Sequence, residues 1–121
     1  MSNVFLNILI AGALFVHGVG HTLGFWMTAR SWLFPRASEK TLRLVSGVFW
    51  SLAAIGFVAA SLGFWGILVP TEWWRSLAVA SAFISLLGLI FFWGNWPTFN
   101  TIGALAMDIA VLVTQLILHW P

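Results

Sequence analysis

Cysteine is missing from this 121-residue chain, and charge is nearly so. Without a thiol there is no disulfide, no thiolate metal site and no thiol nucleophile, and the redox compartment stays open. Charged residues make up 7% of the chain, against about 25% in an ordinary soluble domain. With 61% hydrophobic residues, a water-soluble fold of this length has too few charges to cover its apolar surface. The bilayer must do part of that work, so the chain reads as an integral membrane protein. No basic segment with a small-residue cleavage pattern precedes the first apolar run. That run is therefore expected to be a retained span rather than a signal peptide.

What charge there is has a pattern. Four of the five basic residues, Arg30, Arg36, Lys40 and Arg43, fall in one connection, and Arg75 stands alone. They form no stripe for nucleic acid, and no nucleic-acid partner is expected. Basic residues concentrate in cytoplasmic loops, so the positive-inside rule puts loop 28–43 in the cytoplasm and both termini outside.

Apolar runs separated by breakers predict four spans, at about 4–27, 44–69, 76–93 and 102–120. Together they use up the chain as one all-α, antiparallel, up-down four-helix transmembrane bundle. Pro35 breaks the first connection, Ser38 before Glu39 and Lys40 suggests a helix cap, and Pro70 and Gly94-Asn95-Trp96-Pro97 punctuate the rest. Eight of the nine tryptophans, all but Trp50, fall near expected span ends, where amphipathic rings favour the headgroup region. Gly20 and Gly24 form a small-residue pair spaced by four, a pattern that lets another backbone approach closely. Glu72 and Arg75 are spaced as a surface i, i+3 pair.

The polar residues inside those spans are few. His17 and His21 are the only ionisable side chains before Arg30, and Asp108 is the only one between Arg75 and His119. Counting 1.5 Å per residue from the span ends puts His21 about 9 Å, and Asp108 about 10 Å, from the cytoplasmic side, with His17 at about 15 Å. Helical steps place Asn3, Asn7, Leu14, His17, His21 and Thr28 on one stripe, and Thr101, Ala104, Asp108, Leu112, Gln115 and His119 on another. Both stripes are expected to face the bundle interior, because a polar face turned to lipid is costly. Ser46, Ser81 and Ser85 offer hydroxyls from the other two helices. The expected core of the site is an Asp108–His21 hydrogen bond with His17 one turn away.

Several chemistries suit such a cluster. His17, His21 and Asp108 are ligand types for a metal, although the general base of a His-Glu-x-x-His site is absent and no further ligand lies at that depth. Haem needs axial histidines from facing helices, and the remaining one, His119, lies near the outer end, which argues against it. His17, His21, Asp108, Gln115, Ser46 and Ser85 are also candidate anchors for an apolar ligand such as a quinone or lipid, or stations for a proton. The same contacts can simply lock a bundle that serves as an accessory or assembly subunit. A proton-coupled small transporter and a metal-dependent membrane enzyme are the alternatives. The bilayer is one partner; a homo-oligomer or a larger membrane complex would be others.

The run His17-Gly18-Val19-Gly20-His21-Thr22-Leu23-Gly24 resembles the first helix of small bacterial four-span membrane proteins of uncharacterised role. The resemblance covers eight residues. It implies a bacterial cytoplasmic membrane and brings no activity with it. Small multidrug-resistance transporters share the size and the four spans, but they carry an essential Glu in the first helix, where this chain has His17 and His21.

Overall fold

A computed structural model describes residues 3–120, and those residues form helices joined by short connections. The first, α1 (Val4–Gly20), is capped by the Asn3 side chain, which accepts from the Leu6 amide at 3.2 Å. It tightens into a 3₁₀ segment, His21–Trp26. Ser38 opens α2 (Glu39–Trp65) by accepting from the Thr41 amide at 3.2 Å, as its position ahead of Glu39 implies. Gly66 closes it in the left-handed conformation, φ 69°, which a residue without Cβ adopts freely. A 3₁₀ turn, Thr71–Trp73, leads into α3 (Trp74–Phe91), and Pro97 precedes α4 (Thr98–Leu112), which ends in a π-helical turn at Val113–Ile117.

Among the described residues four helical stretches are long and apolar enough to cross a membrane: Val4–Trp26, Glu39–Trp65, Thr71–Phe91 and Thr98–Ile117. The second differs most from its expected bounds of 44–69. Its first turn carries Glu39, Lys40 and Arg43, so hydropathy ends where the helix does not; Glu39 and Arg43 pair at 3.0 Å on that exposed turn. Its 27 residues reach about 40 Å, longer than a ~30 Å hydrocarbon core, so the surplus projects into the headgroups or tilts. Large apolar side chains such as Phe5, Leu44, Ile55, Phe83, Ile102 and Ile109 cover the outside. That exterior suits lipid as the solvent, and the chain is an integral membrane protein.

Two apolar clusters fill the inside. One joins Leu14, Ala53, Phe57, Ala60, Trp74, Ala78, Ala82 and Val111, and the other joins Ala29, Leu42, Trp50, Leu89, Phe92, Trp96 and Ala104. Ser85 on α3 falls between Ala82 and Leu89, and Asp108 on α4 between Ala104 and Val111. The polar level is thus sealed by hydrocarbon on both sides.

Tryptophan and glycine depart from expectation. Trp74 and Trp96 lie near span ends but turn into the protein, 8% exposed each. A position near a span end does not say which way the ring turns. Arg75 lies over the Trp74 ring at 5.5 Å instead of pairing with Glu72. Gly20 looks onto open space, whereas Gly18 packs on Ala54 and Phe57, and Gly24 lies flat against Trp50. Trp50 also meets Gly88 of α3, so two glycines form its slot.

The first connection folds under the bundle. Ser31 Oγ donates to the Phe91 carbonyl at 2.6 Å and Trp32 Nε1 donates to the Ile90 carbonyl at 2.7 Å. Both carbonyls belong to the last turn of α3, which has no helical partner for them. The Arg30 amide donates to Asn95 Oδ1 at 3.3 Å, tying the first connection to the third.

The glycine slot has a direct test. Gly24→Ala drives a Cβ into the rigid indole of Trp50 and should cost about 1–3 kcal/mol, read as a lowered midpoint of thermal unfolding in detergent. Gly20→Ala, which meets nothing, should leave that midpoint unchanged or raise it.

Candidate functional site

His17, His21, Ser85 and Asp108 come together in one hydrogen-bonded circuit. His17 Nε2 lies 2.7 Å from Asp108 Oδ1. The Ser85 hydroxyl lies 2.5 Å from Asp108 Oδ2 and 2.7 Å from His21 Nε2. His21 Nδ1 donates to the His17 carbonyl at 2.8 Å, which returns the chain of contacts to its start. Asp108, Ser85 and His21 are at most 1% exposed. A carboxyl group at this depth must be partnered, and two other helices, α1 with His17 and α3 with Ser85, supply the partners.

The direct Asp108–His21 bond expected from depth is not the one formed. His17 holds Asp108, and His21 reaches it through Ser85. Helix geometry explains the exchange. Positions 17 and 21 share a face one turn apart, about 6 Å along the axis, and counting from helix ends cannot resolve one turn in a tilted bundle. The 3₁₀ segment adds to this. At its start the His21 amide is shared between the carbonyls of His17, Val19 and Gly18, and the His17 carbonyl takes the His21 ring as well.

Two other expected members lie elsewhere. Ser46 is buried but donates to the Arg43 carbonyl at 3.2 Å, within its own helix. Gln115 sits two turns beyond Asp108 in the π turn, where Nε2 donates to the Trp120 carbonyl at 2.6 Å. Its Oε1 is buried without a partner. His119 is exposed. Among the described residues no group of three His, Cys, Asp or Glu side chains is placed to hold a metal ion. His17 Nε2 and one oxygen of Asp108 face each other, and His21 Nε2 faces a serine, so the donor atoms do not converge on a common point.

Aromatic rings wall the circuit, and sequence reasoning did not assign them to it. Phe57 of α2 meets His17 edge-on at 4.5 Å and stacks on His21 at 5.7 Å. Trp96 stands at 5.5 Å from His21 and Trp50 at 6.0 Å. The signal for Trp96 was its uncharged setting, Gly94-Asn95-Trp96-Pro97, which suits a connection folded inward. Trp96 Nε1 is buried and has no acceptor among the described residues.

The circuit also marks a seam. Helices α2 and α3 close tightly over fully buried Ala53, Ala60, Ala78 and Ala82, but α1 and α4 scarcely touch. Among the described residues His17–Asp108 is the one hydrogen bond linking α1 to α4. On one side of that bond lies an apolar groove of about 250 Å³ between Leu6, Ile10 and Leu14 of α1 and Met107, Ala110 and Val111 of α4. On the other side a cavity of about 210 Å³ is bordered by His17, His21, Trp96, Phe99, Asn100 and Gly103.

No protein-family model, curated protein or solved structure matches the chain.

Replacing His17 by Ala removes the α1–α4 link and strands one oxygen of a buried carboxyl group. A loss of about 1–3 kcal/mol is expected, again read from thermal unfolding in detergent. His119→Ala, at an exposed position, should stay within about 0.5 kcal/mol of the parent.

Proposed function

We propose that this protein binds a molecule with a long apolar tail and a carbonyl-bearing head, of the quinone or lipid class, in the seam between α1 and α4. The observation that carries the proposal is the seam itself. An apolar groove and a histidine-walled cavity follow one another along the same two helices, separated by the single His17–Asp108 bond. The tail would lie along Leu6, Ile10, Met107 and Ala110. The head would meet His17 beside Phe99 and Trp96, where aromatic rings and a few polar atoms give the mixed lining of a ligand site. Binding of this kind suits an accessory component that holds or presents a membrane-dissolved molecule. We propose a bacterial cytoplasmic membrane, as the resemblance of the His17–Gly24 run implies, with loop 28–43 inside and both termini outside on the basic residues of that loop.

A second reading, a proton-coupled transporter, is favoured by one specific feature: a carboxyl and two imidazoles in unbroken hydrogen-bond contact inside the membrane.

Ligand binding can be measured in nanodiscs from the chain's own fluorescence, since Trp74 and Trp120 border the groove and Trp96 borders the cavity. A short-tailed quinone should quench it saturably. His17→Ala should weaken binding about tenfold, the equivalent of one hydrogen bond of ~1.4 kcal/mol, and Ala110→Trp, which fills the groove, should abolish it. Saturable quenching by a brominated phospholipid that the quinone fails to displace would assign the site to lipid. Quenching that rises linearly with either compound, as simple partitioning does, would sink the proposal. The topology is testable separately because the chain is free of cysteine. A Lys40→Cys variant should react with a membrane-impermeant maleimide only after cells are opened; labelling of intact cells would invert the orientation.

A further inference from the structure

Hydrogen-bond geometry limits how many protons the circuit holds. His21 Nδ1 faces a backbone carbonyl, which only accepts, so Nδ1 carries a hydrogen. A neutral His21 ring then has a bare Nε2, and that atom faces Ser85 Oγ. Ser85 has one hydrogen to give but two partners, His21 Nε2 and Asp108 Oδ2. A second hydrogen is needed along Asp108–Ser85–His21, and it sits either on Asp108 Oδ2 or on His21 Nε2. The remaining contact is filled by the His17 Nε2–H donating to Asp108 Oδ1.

Four contacts thus take four hydrogens, and two arrangements fill them at zero net charge. In one, Asp108 is a carboxylic acid and both rings are neutral. In the other, Asp108 is a carboxylate and His21 an imidazolium. Removing a proton from either breaks one contact and leaves a net negative charge among apolar residues, which costs both a hydrogen bond and a buried charge. The groups packed around the circuit offer no substitute charge. α2 presents Phe57 and Trp50, the third connection presents Trp96, and the cavity wall adds Phe99 and Asn100. No Lys, Arg or Glu is among them. His17 Nδ1 makes no hydrogen bond with any described residue, and its ring borders the cavity.

We propose that His17, Asp108, Ser85 and His21 form a proton-storage site. It holds one proton at zero net charge and passes it between Asp108 and His21 through the Ser85 hydroxyl. In the transfer the Asp108 Oδ2–H bond breaks as a new Ser85 Oγ–H forms. The original Ser85 hydrogen moves to His21 Nε2, turning acid plus imidazole into carboxylate plus imidazolium. No other reactant takes part. The site needs no bound molecule, so its failure would leave the ligand proposal standing, and the reverse holds too.

The composition makes the proton countable, because Asp108 is the only aspartate and His17 and His21 share the chain with one further histidine, His119. The full chain, with ¹³C-labelled aspartate carboxyl and ¹⁵N-labelled imidazoles in nanodiscs, reports each protonation state by NMR at neutral pH. The protonated fraction of Asp108 and the imidazolium fraction of His21 should sum to one proton. An ionised Asp108 beside two neutral rings at positions 17 and 21 overturns the proposal without any variant. Ser85→Ala should remove the imidazolium share from His21 and leave the acid on Asp108, and Ser85→Thr, which keeps the hydroxyl, should restore the sharing. If His21 keeps its wild-type imidazolium fraction in Ser85→Ala, the serine path is wrong.

Discussion

A carboxyl group that has left water must find partners, and in this bundle Asp108 decides where the other helices stand. An aspartate at the centre of a span costs roughly 2.5–3.5 kcal/mol on insertion scales, and that cost is offset only where donors are already in place. His17 supplies one from α1 and Ser85 one from α3. Sliding α4 by a turn, about 5.4 Å, would part the carboxyl from both His17 and Ser85. The circuit therefore fixes register as well as chemistry. Structural lock and candidate site are one arrangement, because the contacts that satisfy Asp108 are also those along which the proposed proton transfer would run.

Helix α2 contributes no polar atom to the circuit, yet the circuit depends on it. Trp50 and Phe57 wall the histidines on the α2 side, and Trp50 holds its place because Gly24 and Gly88 leave room for an indole on either side. Trp96 closes the end, 4.8 Å from Trp50. In so dry a setting a hydrogen bond is electrostatically stronger than in water, and an unmade one is more costly. Sealing the site thus raises the stakes of every contact in it. The apolar clusters on either side of the polar level stabilise that level by exclusion rather than by touch.

Much of this was legible in the residue order. Hydropathy and breakers yielded four helices, Ser38 its cap, and helical spacing the inward faces that carry His17, His21 and Asp108. Those features are local, written within a turn or two of the residues concerned. The pairing was not local. Whether Asp108 meets residue 17 or 21 depends on tilt, on the 3₁₀ tightening after Gly20 and on an α2 that outlasts the hydrocarbon core. Serine was ambiguous for the same reason. Ser46 and Ser85 are equally plausible on their own helices, and only the crossing of α3 with α4 brings one of them to the carboxyl. Tryptophan was misread where span ends stood in for orientation, since Trp74 and Trp96 lie at ends but turn inward.

The weak side of the bundle follows from the same distribution of residues. Alanines let α2 and α3 meet over their whole length, while α1 and α4 are held by one polar contact between two hollows. A hydrocarbon chain entering that seam gains only dispersion contacts it already had in lipid. Parting His17 from Asp108 would strip the carboxyl of a donor, a loss that a plain tail cannot make good. A head group with its own hydrogen-bonding atoms can replace the lost contact, and one able to take or give a proton can do so without changing the net charge buried there. On the proposed ligand reading, discrimination between membrane-dissolved molecules would follow from this latch. On that reading, what the seam admits would be set by the hydrogen bonding a head group offers to His17 and Asp108 as well as by the shape of the groove.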